Sequence, residues 1–351
     1  MLLALLALLG LVGCGGDDSG EAANTSGSAI TETDDAGDTT STGSALKVGL
    51  VTDIGGLDDR SFNFLASKGL EQAEGELGVQ GRVVVSRANA DYVPNLSSLA
   101  NQDYDLVIAV GFLMSAAVDV VARQFPDVRF AIVDFAQEEL KSRPGNVRGL
   151  LFKEQEAGYL VGYLAGLLAK QEAGSRQVIG SVGGLKIPPV DRYIAGYQAG
   201  AKAANPEIET LNAYSQDFVD QAKCKEVALD QIGRGAIVIF QVAGQCGLGA
   251  LSAAAEKNVR GIGVDADQAY LGEHVLTSAL KKVDIAVFQT IQAVQDGTFQ
   301  GGENTVFDVA SGGVGLGEVA SDVSAELVSQ LNEIQDGIAA GTVVDIPETV
   351  G

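Results

Sequence analysis

From Lys47 onward the chain alternates short β-branched runs with stretches of helical length, and that alternation leaves few folds open. Parallel strands cannot be joined by a tight turn and need a crossover, usually a helix, so the pattern reads as βαβ units around parallel sheets. The first series predicts strands at 47–52, 82–86, 106–110 and 129–133, with helices at 61–77, 94–101 and 114–125. A second series predicts strands at 178–182, 208–213, 237–242 and 261–264, with helices at 189–204, 218–232 and 247–256. Two matching series imply two α/β lobes of one kind. No short repeat of solenoid or propeller period is present. A helix at 153–170 carries Gly158, Gly162 and Gly166 at four-residue spacing, a pattern that membrane helix pairs also use. Glu154, Glu156 and Lys170 cut its uncharged stretch short of the roughly 20 residues that span a bilayer, so close packing inside a folded lobe is expected.

Ahead of the folded region, residues 1–12 are an unbroken apolar run that ends at Leu11-Val12-Gly13-Cys14. This segment resembles a bacterial lipoprotein signal peptide with its lipobox, which implies lipidation at Cys14 and an extracytoplasmic chain anchored to the cell membrane. No Lys or Arg precedes the run, so either the basic n-region is short or the true start lies upstream of Met1. Residues 15–45 are small, polar and acidic, and they bury too little apolar surface to offset the entropy of ordering. They read as a disordered tether. The net charge of −23 argues against nucleic acid as a partner and against a polybasic membrane patch, so attachment falls to the acyl chains.

Setting Cys14 aside leaves an even pair, Cys224 and Cys246, and in an oxidising compartment a disulfide is the simplest assignment, with two buried thiols as the alternative. It would tie the start of the helix at 218–232 to the loop after the next strand. Catalysis finds little support. His274 stands alone, no His, Cys, Asp and Glu cluster has metal spacing, and no phosphate-binding glycine loop or nucleophile elbow follows a strand. No cofactor, no metal site and no enzymatic role are expected.

The most informative stretch is Val51-Thr52-Asp53-Ile54-Gly55-Gly56-Leu57-Asp58-Asp59-Arg60-Ser61-Phe62-Asn63. An apolar strand ends at an acid and two glycines, and a polar turn then opens a helix, the place where open α/β sheets hold their ligands. Phe62 offers a flat apolar face to a ring, and Asn63 offers a donor and an acceptor to read the ring's edge.

Together with 182–193 (Val-Gly-Gly-Leu-Lys-Ile-Pro-Pro-Val-Asp-Arg-Tyr), Val242-Ala243-Gly244, 263–268 (Gly-Val-Asp-Ala-Asp-Gln) and 277–284 (Thr-Ser-Ala-Leu-Lys-Lys-Val-Asp), this stretch resembles the successive motifs of the basic membrane protein family. That family comprises substrate-binding lipoproteins of ABC transporters, and its best understood members bind purine nucleosides. The resemblance implies a type I periplasmic-binding-protein fold: two Rossmann-like lobes, a three-stranded hinge, and a ligand enclosed in the cleft by hinge closure. Lobe one would take 46–150 and 283–310, and lobe two 151–282 and 311–351.

Residue by residue, Phe62 matches the position that stacks on one face of the base, Asn63 a base-edge contact, and Asp134 an acid that accepts from the base. Phe218 would supply the opposite aromatic face. Asp265 and Lys281 match the pair that holds the ribose hydroxyls, and Gly244 a backbone contact beside the sugar. Asp53 joins them at the end of the first strand. Each has a plainer reading: the phenylalanines as core, the acids as turn or cap residues, and Lys282 in place of Lys281. The implied protein is a monomeric receptor that hands a nucleoside to a membrane permease. The alternatives are a receptor for another small polar ligand, such as a sugar or a signalling molecule, and a surface adhesin or signalling lipoprotein without a transport role.

Overall fold

The computed structural model describes residues 45–171 and 177–351. The apolar leader, Cys14 and all but the last residue of the acidic tether lie outside the described residues. The first lobe runs β1 (Lys47–Val51), α1 (Phe62–Leu77), β2 (Gln80–Val84), α2 (Tyr92–Ala100), β3 (Leu106–Val110), α3 (Ser115–Gln124), β4 (Arg129–Val133) and β5 (Val147–Phe152). The second runs α4 (Glu154–Gln171), β6 (Val178–Gly183), α5 (Pro188–Ala204), β7 (Glu209–Tyr214), α6 (Gln221–Gly233), β8 (Ala236–Val242), α7 (Gly244–Lys257), β9 (Arg260–Asp265) and β10 (Val275–Lys281). The chain then returns as α8 (Val283–Gln295), β11 (Asn304–Phe307), β12 (Val314–Leu316) and α9 (Ala325–Ala339).

Each lobe is one six-stranded sheet, in the orders β11-β5-β4-β3-β1-β2 and β12-β10-β9-β8-β6-β7. Every pairing is parallel except that of β12, which runs antiparallel along β10. Helices cover both faces of the parallel strands, so β3, Leu-Val-Ile-Ala-Val, is buried at every position instead of alternating. In both lobes the chain order reverses beside the first strand, between β1 and β3 and again between β6 and β8, which opens a crevice at the carboxyl ends of the strands.

Three passages join the lobes. One leads from β5 into α4, one from β10 into α8, and one from β11 to β12. The first falls after Phe152, so residues 151 and 152 pair in the lobe-one sheet. α8 then packs on α1, where Gly69 lies so close that a Cβ would meet the Asp284 carbonyl oxygen at 2.3 Å.

The small residues of α4 have a definite use. A Cβ at Gly158, Gly162 or Gly166 would lie 2.2, 2.0 or 2.6 Å from the carbonyl oxygens of Tyr193, Tyr197 and Ala201 on α5. The relation is reciprocal: Gly196 and Gly200 of α5 face the Gln155 and Tyr159 oxygens at 2.1 and 2.0 Å. The two backbones therefore touch, and α4, which carries only one residue between itself and β5, is fixed rigidly to lobe two.

Several expected boundaries moved. Each sheet has six strands where four were read, because β5, β10, β11 and β12 were not assigned. β2 occupies Gln80–Val84, not 82–86, since pairing with β1 sets Val84 opposite Val51. α6 begins at Gln221, because Asp220 caps it by accepting from the Ala222 amide at 3.0 Å. Cys246 belongs to the first turn of α7, not to a loop, and it is joined in a disulfide to Cys224 of α6 with Cα atoms 5.5 Å apart.

Candidate functional site

The carboxyl ends of the two sets of strands face one cavity of about 570 Å³ of unfilled space, its open mouth included. From lobe one it is lined by Asp53, Asp59, Phe62, Asn63, Asp134 and the 111–113 turn. From lobe two come Ile187, Pro189, Val190, Tyr193, Phe218, Val242, Gly244, Asp265 and Lys281. All eight residues singled out in the sequence as ligand contacts meet here. Lys282 does not: it caps α8 and stands outside the lining, while Lys281 is inside and 1% exposed.

The loop after β1 is organised by two carboxylates and one amide. Asp59 accepts from the backbone amides of Ser61, Asn63 and Phe64 at 3.0, 2.7 and 3.1 Å, satisfying the first free N–H groups of α1. Asn63 Nδ2 donates to Asp53 Oδ1 at 2.7 Å and to Asp59 Oδ2 at 3.1 Å, and its Oδ1 accepts from the Asp53 amide. Both amide hydrogens of Asn63 are thus spent inside the protein. The expected donor to a base edge is committed elsewhere, and Asn63 instead holds Asp53 in place. Burial pushes the Asp53 carboxyl up to about 6, against the hydrogen bonds from Asn63 and Gly55 that favour its ionised form.

Aromatic faces come from both lobes. Phe62 opens α1, and Phe218 sits in the loop between β7 and α6. Space for the Phe218 ring exists only because residue 184 is glycine, where a Cβ would lie 2.3 Å from the ring. The Phe218 carbonyl accepts from the Cys246 amide at 3.0 Å, so the disulfide between α6 and α7 braces the loop that presents this ring. Gly244 has φ +53°, a left-handed conformation that disfavours a side chain, and its backbone lines the cavity beside Phe218.

The charged groups sit at strand ends. Asp134 and Asp265 follow or end β4 and β9 with φ of +68° and +61°, a conformation that short polar side chains tolerate, and both side chains line the cleft. Lys281 Nζ lies 2.6 Å from Asp134 Oδ1 across the two lobes and 2.9 Å from Glu154 Oε1 behind it. It also stands 5.1 Å from the Phe62 ring centre and 4.9 Å from that of Phe152. Burial alone would lower its pKa, but the carboxylates of Asp134, Glu154 and Asp265 outweigh that, and the amine stays protonated. Burial likewise raises Asp134, opposed by Lys281. Asp265 Oδ1 accepts from Tyr193 Oη at 3.2 Å, and burial pushes its carboxyl up to about 7, with Lys281 acting against it.

Three contributors escaped the sequence reading. Glu154 was noted only as a charge that interrupts an apolar helix, and Tyr193 and Asp59 lay unremarked within quoted motifs. An acid at the entrance to an otherwise apolar, fully packed helix was the available signal for Glu154.

What this arrangement can do follows from its donors and acceptors. Among the described residues Oδ2 of Asp265 accepts no hydrogen bond, and Lys281 hydrogen-bonds Glu154 beside its ion pair with Asp134, so both groups keep capacity for a ligand hydroxyl. Aromatic and apolar surface lines the rest. Two doubly wound lobes joined by three crossings around such a cleft define a solute-binding protein.

The chain belongs to the Bmp family of PnrA-like ABC transporter substrate-binding proteins, whose sequence model matches residues 46–348. It is 34% identical over 325 residues to the CD4+ T-cell-stimulating antigen of Listeria monocytogenes, covering 86% of this chain and 88% of that one. It is 33% identical over 316 residues to the ABC transporter nucleoside-binding protein BmpA of Lactococcus lactis, covering 83% and 88%. A solved ABC transporter solute-binding protein from Aeropyrum pernix superposes with a TM-score of 0.77 at 28% identity, over 86% of this chain and 94% of that one. The fold is therefore periplasmic-binding-protein-like, and the family is one of solute-binding proteins for ABC transporters, not of enzymes.

Proposed function

We propose that this protein captures a nucleoside, with purine nucleosides preferred, and delivers it to the permease of an ABC importer. The observation that carries the reading is that Phe62 of lobe one and Phe218 of lobe two line the same cavity as a separated Asp265 and Lys281. A planar base uses the two aromatic faces, and adjacent sugar hydroxyls use one charged acceptor and one charged donor. Asp53 and Asp134 accept from the N–H groups of the base. Four carboxylates line the cavity against one ammonium group, so a phosphorylated ligand is repelled while a neutral one is not. Attachment to the membrane through a lipidated Cys14 is part of the same reading, supported by relatives such as a lipoprotein of Pyrococcus furiosus, 34% identical over 291 residues, 80% of this chain and 72% of that one. The receptor acts as a monomer outside the cytoplasm.

Titration calorimetry with inosine, guanosine, adenosine and uridine tests this, with ribose, hypoxanthine and inosine monophosphate as comparisons. Binding to at least one nucleoside, far weaker binding to ribose and to the free base, and none to the monophosphate are expected. Tight binding of a free sugar with no response to any nucleoside would overturn the assignment in favour of a sugar receptor.

A further inference from the structure

Glu154 lies outside the cavity lining, yet it is one of two carboxylates that hold the only ammonium group within that lining. Resting on the nucleoside reading above, we infer that Glu154 is a positioning residue that sets hydroxyl recognition by holding Lys281 away from Asp265.

Lys281 and Asp265 end neighbouring strands, with Leu280 opposite Asp265 in the register. Buried opposite charges at such proximity attract strongly, and a direct contact would consume the donor and the acceptor that a ligand needs. Among the described residues Lys281 makes ion pairs with Asp134 and Glu154, and none with Asp265. Glu154 holds the amine through a 2.9 Å hydrogen bond and Asp134 through an ion pair, and the amine keeps donor capacity for an incoming hydroxyl.

Of its two anchors, Asp134 belongs to the other lobe and recedes when the lobes part. Glu154 stays with Lys281 in both states, because α4 is fixed to α5 backbone against backbone and carries Glu154 in its first turn. The carboxylate is fully buried and is held from its far side by Arg192, 3.4 Å from Oε2, which in turn meets Glu348 at 3.4 Å. Without the Glu154 charge, the open cleft leaves Lys281 with Asp265 as its nearest unsatisfied carboxylate, and the amine collapses onto it. The seat for adjacent hydroxyls is then filled before a ligand arrives.

The test compares inosine with 2′,3′-dideoxyinosine by calorimetry on the wild type and on Glu154→Gln. Inosine affinity is expected to fall roughly tenfold in the variant, in line with losing a charge-assisted hydrogen bond to a sugar hydroxyl, while the dideoxy affinity stays within about twofold. A purely structural role for Glu154 would lower both affinities together, so an unchanged ratio overturns the inference. Glu154→Asp keeps the charge one methylene further back and is read the same way should the glutamine variant fail to fold. A partial loss of the ratio is expected there, and none would overturn the inference. If the wild type ignores inosine altogether, the nucleoside reading falls at the first titration, independently of Glu154.

Discussion

Replacing Asp265 separates the binding role of its carboxylate from the backbone demand of its position. The residue sits at φ +61°, accepts from Tyr193 through Oδ1, and lines the cavity. Asparagine tolerates the same backbone and retains an acceptor for Tyr193, so at about pH 8.5, above the raised value of about 7 where the carboxyl is ionised, Asp265→Asn should fold as the wild type does and lose only the charged acceptor. A hydrogen bond to a charged group contributes about 1.5–3 kcal/mol and a neutral one about 0.5–1.5, so the expected loss is near 1–1.5 kcal/mol. That corresponds to roughly five- to twelvefold weaker ribonucleoside binding. Asp265→Ala should lose the whole interaction, roughly 13- to 160-fold, and should also unfold at a lower temperature, because a left-handed alanine costs about 1–2 kcal/mol. Calorimetric titration measures the affinities, and thermal unfolding of the ligand-free variants measures the backbone term. If alanine and asparagine bind a ribonucleoside within twofold of the wild type, Asp265 is not a ligand contact and the assignment of the charged pair is refuted.

Other consequences are open to the same instruments. Gly162→Val should abolish folding of lobe two or lower its unfolding midpoint severely, since even a Cβ there would meet the Tyr197 oxygen at 2.0 Å; a midpoint within a few degrees of the wild type would contradict the packing described. Asp53 and Asp265 have carboxyls raised by burial to about 6 and about 7, above the ordinary 3.8, so the folded state binds protons that the unfolded state releases. Stability of the closed form should fall as pH rises from about 5 through 7, with Asp134, also raised to about 6, adding to the trend and His274, which burial lowers, opposing it in part. The lowered carboxyls of Asp217, Glu138, Glu256 and Asp308 act chiefly below that window. Scanning calorimetry giving a higher midpoint at pH 7.5 than at pH 5 would show the sign to be wrong. Cys224→Ser should cost about 3 kcal/mol of stability from a loop of 22 residues, and should weaken nucleoside binding by loosening the Phe218 loop. Two alkylatable thiols in unreduced protein would show that the bridge is not formed.

The alternation of strands and helices made the two-lobed α/β plan legible, because buried parallel strands read as short apolar runs. Three of the four unassigned strands break that rule. β11 and β12 are edge strands of four and three residues, and β5 contains Gly149, against which the Asn304 side chain and the Phe135 carbonyl pack. The apolar look of Phe218-Val219 extended the predicted helix too far, since a cap of one aspartate decides where α6 begins. Within the site, residue types in ordered motifs located the cavity, but not how hydrogen bonds are shared inside it. Asn63 is the instructive case: donor and acceptor were visible in the sequence, whereas their commitment to Asp53 and Asp59 depends on the fold of a ten-residue loop. Glu154 was hidden for a related reason, as its partner Lys281 lies 127 residues away.

A crystal structure of the protein grown with inosine addresses the central claim most directly. Closed lobes are expected, with the purine between the Phe62 and Phe218 rings, Lys281 donating to one sugar hydroxyl and Asp265 accepting from its neighbour. Inosine outside the interlobe cavity, or bound there with the sugar remote from Asp265 and Lys281, would contradict it.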